Sequence, residues 1–272
     1  MESSLRGEKH LKRLVVAVVL LPVLYLSIMY LSPAYFLLIL IGASVIALSE
    51  FYSMYRVKGI FKYVGIFFGI SILGISYIYK DLLVDTIICS IMAIMGMRLL
   101  IKRDPKSSIS DISLPALGLL YIPGLLAFQT QIRWIGPEWI ILLYATVWAA
   151  DSVAYYMGTL MGKRKLYVEV SPNKTIAGAV GSPIGGAIAA VIVKATLINT
   201  MSMSTAMLIG VMLGGISIIG DLVESMFKRD AGVKDSGVII AGHGGILDKI
   251  DGILFAGPIL YWLLMSIGIK GF

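Results

Sequence analysis

Apolar residues in this chain fall in long unbroken runs separated by short polar stretches. Nine runs can be marked: Leu14–Leu31, Tyr35–Tyr55, Phe61–Tyr79, Leu82–Leu100, Leu114–Ile132, Trp139–Leu160, Ile176–Leu197, Ala206–Ile219 and Ile250–Ile269. Most approach the roughly 20 residues that a helix needs to cross the hydrocarbon core of a bilayer. The eighth is short, and a helix can continue from it through the polar stretch that follows. No internal repeat or low-complexity tail interrupts the series. The pattern predicts an all-α fold, a polytopic integral membrane helical bundle of about nine spans.

Composition agrees. Of 272 residues, 58% are hydrophobic and 14% charged, and the mean hydropathy is +0.90. Soluble domains carry about 25% charged residues, so this much apolar surface needs lipid to cover it. Nine spans use up the chain and exclude a sizeable soluble domain. Two regions are expected: residues 1–110 as scaffold or dimerisation helices, and residues 111–272 as a catalytic membrane region.

The net charge of +7 would suggest nucleic acid in a soluble protein. Here the basic residues flank spans and face anionic headgroups, so no nucleic-acid partner is expected. Arg6, Lys9, Lys12 and Arg13 precede the first run as in a signal peptide. That run has no clear small-residue cleavage site, so it reads as a retained first helix. With the N-terminus cytoplasmic, nineteen of the 23 lysines and arginines fall on the cytoplasmic side. Only Lys80, Arg133, Lys194 and Lys270 fall on the other, a bias of the kind that sets membrane orientation. The C-terminus is therefore expected outside, and the protein in the cell membrane. Cys89, the single cysteine, allows no intramolecular disulfide and no cysteine metal site. Trp134, Trp139, Tyr144 and Trp148 suit an interfacial aromatic belt. The pairs Gly65/Gly69, Gly158/Gly162, Gly181/Gly185 and Gly210/Gly214 predict close helix contacts.

Candidate chemistry lies where acids sit in or beside spans, because each is costly in lipid. Glu50, inside the second run, could be a buried functional acid, but capping or hydrogen bonding between helices is the expected role. Asp221, Glu224, Asp248 and Asp251 are four carboxylates within 31 residues. Asp221, Glu224, Ser225 and Lys228 are spaced as one stripe of a helix. Asp248 and Asp251 are three apart at the start of the last span. If these helix ends meet, they form a carboxylate pocket with Lys228, Arg229 and Lys234 nearby, an oxygen-rich site suited to Mg²⁺. A solvated loop with incidental ion pairs is the plainer alternative. Gly242-His243-Gly244-Gly245 lies between the two halves, where glycine backbone can approach a ligand and offer N–H groups to phosphate. His243 could donate to phosphate, act as a general acid, or be a turn residue.

A second polar segment follows the sixth run. Asp151 sits inside that run, and Ser171-Pro172-Asn173-Lys174-Thr175 heads the next. Lysine, hydroxyl and helix terminus together make a phosphate cradle; an N-cap with a snorkelling lysine is the alternative. Both polar segments lie on the same side in the topology above.

These residues resemble the phosphatidate cytidylyltransferase (CDP-diacylglycerol synthase) family. Its pattern S-x-x-K-R, K-D, P-x-H-G-G, x-x-D-R-x-D is similar to Ser225-Met226-Phe227-Lys228-Arg229, Lys234-Asp235, Ala241-Gly242-His243-Gly244-Gly245 and Asp248-Lys249-Ile250-Asp251. Asp151, Tyr155, Gly158, Gly162-Lys163 and Ser171 to Thr175 also look like family features, so the likeness spans residues 150 to 251. Ala241 stands where the family has proline, giving a less rigid turn, and Lys249 where it has arginine, losing a bidentate grip. The resemblance implies that phosphatidic acid attacks the α-phosphorus of CTP and pyrophosphate leaves. It implies Asp221, Asp248, Lys228 and His243 as catalytic groups, and Asp221, Asp248 and Asp251 as holders of Mg²⁺, with a second, monovalent cation such as K⁺. Substrate would be bound by Asp151, Lys174, Thr175, Ser225, Arg229, Lys234, Gly244 and Gly245. A homodimer in the lipid bilayer is also implied. A CTP-dependent lipid kinase is the nearest rival reading. A transporter is the remote one, because polar residues gather at one surface and no matching halves are visible.

Overall fold

The computed structural model describes residues 22–237 and 244–269. The basic N-terminal residues, the first eight residues of the first apolar run, Ala241, Gly242 and His243 lie outside them. The described chain opens with a helical segment, α1, over 22–30. Then follow α2 (Pro33–Met54), α3 (Ile60–Ile78), a 3-10 turn (Lys80–Leu82), α4 (Leu83–Ile101) and α5 (Ser108–Leu119). A π turn (Leu120–Gly124) leads into α6 (Leu125–Ile135), and α7 spans Pro137–Met161. After a hairpin of β1 (Lys165–Tyr167) and β2 (Ser171–Thr175) come α8 (Ile176–Leu197), α9 (Met203–Asp230) and α10 (Leu247–Ser266). Among the described residues, eight helical stretches are long and apolar enough to cross a membrane, with α5 and α6 forming one of them. The protein is the all-α membrane bundle that its apolar runs predict.

Three boundaries depart from the runs, each for a local reason. The eighth span is α9, 28 residues long, which continues past Ile219 through the acidic stripe to Asp230. The last span begins at Leu247 rather than Ile250, which draws Asp248 into its first turn. The fifth span starts at Ser108 and is broken in the middle. Pro123 has no N–H to offer the Leu119 carbonyl, and the backbone widens into the π turn there.

Helix packing follows the small residues. A Cβ on Gly214 of α9 would lie 2.5 Å from the Ser182 carbonyl of α8, and one on Gly210 would lie 2.7 Å from Ala187 Cα. The Ser182 hydroxyl donates to the Gly214 carbonyl at 2.7 Å. Only glycine permits this approach, which in lipid supplies the packing that water would otherwise drive. Gly65 of α3 meets the Tyr52 ring of α2 in the same way. The four helices α7 to α10 pack in series, and α10 also touches α6 and α2. Arg98, only 3% exposed, ties the turn after α4 together through Asp111 (2.7 Å) and the carbonyls of Lys102, Asp104 and Lys106.

The aromatic belt is narrower than expected. Trp134 is partly exposed, but Trp139 is 2% exposed and belongs to the core. Tyr144 turns inward, its hydroxyl donating to Gln129 at 3.0 Å. The Tyr144 hydroxyl finds its partner inside the bundle, so it has no need of the interface.

Candidate active site

The C-terminal ends of α7 and α9 and the N-terminal ends of α8 and α10 come together at one end of the bundle. Between them lies a cavity of about 680 Å³, a size suited to a small-molecule ligand. Each wall can be traced to a sequence feature.

The α9 wall is the acidic stripe. Its spacing turns Asp221, Glu224, Ser225 and Lys228 to one side, and the last three are buried. Ser225 donates to Asp221 Oδ1 at 3.3 Å, while Glu224, completely buried, forms an ion pair with Lys228. The α10 wall supplies Asp248 and Asp251. Gly220 of α9 makes the contact possible, since a Cβ there would stand 2.5 Å from the Asp251 carbonyl.

Carboxylate oxygens of Asp221, Glu224 and Asp251 lie within 4.8 Å of one another. Beside their lysine partners, these three acids form an all-oxygen donor set consistent with a divalent cation. Asp248 also lines the cavity, but it stands outside this trio because its oxygens are otherwise engaged. Oδ1 takes Lys228 Nζ at 2.6 Å. Oδ2 accepts from the Gly245 N–H (2.7 Å), the Ser236 hydroxyl (2.9 Å) and the Ser236 N–H (3.2 Å). The structure therefore brings together Asp221 and Asp251 of the expected metal set, adds Glu224, and gives Asp248 to Lys228.

The third wall comes from the hairpin and α8. In the two-stranded antiparallel pair Lys165 faces Thr175, which carries Lys174 across to α9, where its Nζ sits 2.5 Å from Asp221 Oδ2. Thr175 is the N-cap of α8, its hydroxyl oxygen accepting the Gly178 N–H at 3.1 Å. The cradle and cap readings of this segment thus both describe it. Asp151 and Gly158 of α7, with Lys165 and Asn173 of the hairpin, complete the lining.

Other expected residues lie elsewhere. Arg229 donates to the Val170 carbonyl (3.3 Å) and the Val233 carbonyl (2.9 Å), so it pins the hairpin to the end of α9. Lys234 is exposed and is not part of the lining. Gly244 and Gly245 flank the cavity at the start of α10, where Gly244 has φ +85°. His243 falls outside the described residues. Sequence reasoning left out Lys165, which carries no spacing signal, named Asn173 only as part of its motif, and left Glu224 out of the metal set although it lies on the stripe.

The charge balance is informative. The lining holds carboxylates Asp151, Asp221, Asp248 and Asp251 against Lys165, Lys174 and Lys228, with buried Glu224 behind them. Five acids against three bases, in a chain of net charge +7, leave a local negative excess consistent with a divalent cation. The amino end of α8 adds a positive dipole on the hairpin side, while that of α10 is engaged by carboxylates.

Comparison with known proteins gives this geometry a family. The chain is 34% identical to the phosphatidate cytidylyltransferase of Synechocystis sp., across 87% of this chain and 88% of that one. It is 33% identical to the enzyme of that name from Staphylococcus saprophyticus, with 82% and 86% covered. For the Haemophilus influenzae enzyme of that name, identity is 30% with 91% and 96% covered. The family's sequence profile matches residues 11–267, so the chain belongs to the cytidylyltransferase family.

Proposed function

We propose that this protein transfers the cytidylyl group of CTP to phosphatidic acid, giving CDP-diacylglycerol and pyrophosphate. The observation that carries the reading is the trio Asp221, Glu224 and Asp251, with Lys174 paired to Asp221, beside a cavity at the ends of membrane spans. Such a place holds a nucleotide's phosphates against a lipid headgroup. A phosphate oxygen of phosphatidic acid forms a bond to the α-phosphorus of CTP, and the bond from that phosphorus to the β-phosphate oxygen breaks. The attacking phosphate is largely a dianion at neutral pH, its second pKa being about 6, so no strong base is needed. The work is alignment and charge neutralisation.

Asp221, Glu224 and Asp251 would hold Mg²⁺, which supplies positive charge to the triphosphate and the departing pyrophosphate. Lys174 exchanges its Asp221 partner for a substrate phosphate. Lys228, fixed by Glu224 and Asp248, presents a cation that cannot swing away. Asp151, without an ion-pair partner among the described residues, is the group left for a second, monovalent cation. Thr175 and Ser225 orient Lys174 and Asp221, and Gly244 and Gly245 close the side next to α10. The nineteen-to-four basic bias supports a cytoplasmic site in the cell membrane. The exposed apolar faces of α3 and α4 suit a homodimer contact in lipid.

The test is CTP labelled separately at the α- and γ-phosphates, supplied with phosphatidic acid and Mg²⁺ to the purified protein in detergent. Label from the α position must appear in the lipid. Label from γ alone would make the protein a lipid kinase, and no transfer would end the reading.

A further inference from the structure

Glu50 belongs to α2, in the N-terminal half, far in sequence from every residue lining the cavity. Its side chain nevertheless ends at the start of α10, and the residue is 4% exposed. Oε1 accepts the Ile246 N–H at 3.0 Å and Oε2 the Leu247 N–H at 2.9 Å. The Ser236 hydroxyl stands 3.2 Å from Glu50 Oε2 and 2.9 Å from Asp248 Oδ2, sharing its proton between the two. Gly237 and Gly245 leave space for the carboxylate: a Cβ on Gly237 would come 2.6 Å from Oε1, and one on Gly245 would strike both Ser236 and Glu50.

Resting on the cytidylyl-transfer reading, we propose that Glu50 is a positioning residue of that reaction, clamping the first turn of α10 so that Asp248 and Asp251 face Asp221, Glu224 and Lys228 in register. The first amides of a helix have no partner within it, and an anion there also meets the positive end of the helix dipole. Glu50 meets both demands from another helix. The clamp passes directly into the site: Ser236 joins Glu50 to Asp248, Asp248 holds Lys228, and Lys228 holds Glu224. A carboxylate is required because three donors converge on it. A glutamine has one acceptor oxygen, and its NH₂ group would face an N–H or hydroxyl that also donates. The N-terminal helices thereby become part of the catalytic apparatus.

The experiment compares full-length wild type with Glu50→Gln, Glu50→Asp and Ser236→Ala, reconstituted in nanodiscs. It measures amide hydrogen exchange across 244–252, the unfolding temperature, and kcat and KM for CTP and phosphatidic acid. For Glu50→Gln, exchange should quicken at Ile246 and Leu247 while distant helices keep wild-type protection. Its kcat should fall by up to about a hundredfold, the scale of an ångström-sized misplacement, with KM for phosphatidic acid unchanged. Glu50→Asp should recover part of the rate, and Ser236→Ala should fall between. Should Glu50→Gln not fold, the same comparison holds with Glu50→Asp and Ser236→Ala. Unchanged exchange at 246–247 defeats the clamp itself. Quickened exchange with kcat per folded molecule within about twofold of wild type reduces Glu50 to a purely structural role and overturns the proposal. A wild type that transfers no cytidylyl group sinks the underlying reading instead, a failure recognisable because the exchange data stand apart from turnover.

Discussion

Lys174 Nζ lies 2.5 Å from Asp221 Oδ2, joining the hairpin strand that precedes α8 to the acidic stripe of α9. The pair closes the cavity between two segments separated by almost fifty residues. It also gives each charge a partner.

If Lys174 receives a phosphate of CTP, Lys174→Met removes a charge-assisted contact of about 1.5–3 kcal/mol. At 1.36 kcal/mol per factor of ten, kcat/KM for CTP should drop between about tenfold and a hundredfold. Initial rates at varied CTP, with phosphatidic acid saturating, measure it. An unaltered kcat/KM would remove Lys174 from nucleotide binding.

Asp221→Asn and Asp248→Asn should fail differently. The first takes an oxygen from the trio, so the Mg²⁺ concentration for half-maximal rate should rise at least about tenfold, the range seen for weakened metal sites. The second leaves the buried Lys228 with one partner fewer, and breaking such a pair costs about 3–5 kcal/mol. Its main effect should be a lower unfolding temperature in detergent. A Mg²⁺ requirement raised equally by both changes would put Asp248 among the metal ligands.

Gly244 has φ +85° and faces Asp248, with a Cβ position 2.5 Å from Oδ2. Gly244→Ala should therefore cost about 1–2 kcal/mol for the left-handed backbone and push the carboxylate away from the Gly245 N–H. Turnover should fall while the circular dichroism of the helices stays unchanged. Wild-type turnover would show that the loop adapts without moving Asp248.

Gly214→Val forces α8 and α9 apart at their glycine crossing, and overpacking of this kind costs about 1–3 kcal/mol or more. Gly42→Val is the control, because nothing lies within 4 Å of its Cβ position. Unfolding temperature and the fraction of monodisperse protein on size exclusion should fall for the first and hold for the second. Equal behaviour would show that the glycine crossing does not limit stability.

Several features could be read directly from the sequence. A run of some twenty apolar residues has one economical way to satisfy its backbone in lipid, which is a helix, so the spans were legible from Pro33 to Ser266. The stripe Asp221, Glu224, Ser225 and Lys228 needed only helical spacing, and Thr175 announced itself as a cap. The break at Pro123 and the depth of Trp139 were not legible, because each depends on the neighbours that the helix meets.

Sequence by itself determined that this protein is a membrane helix bundle with acids and lysines gathered near the ends of its C-terminal spans, since lipid tolerates charge only where something compensates it. Tertiary structure alone decided which charges meet. Helix rotation and a glycine crossing put Glu224 with Asp221 and Asp251, Lys228 drew Asp248 to itself, and Glu50 arrived at α10 from the other half of the chain. Those choices depend on ångström distances between residues remote in sequence, and no local pattern encodes them.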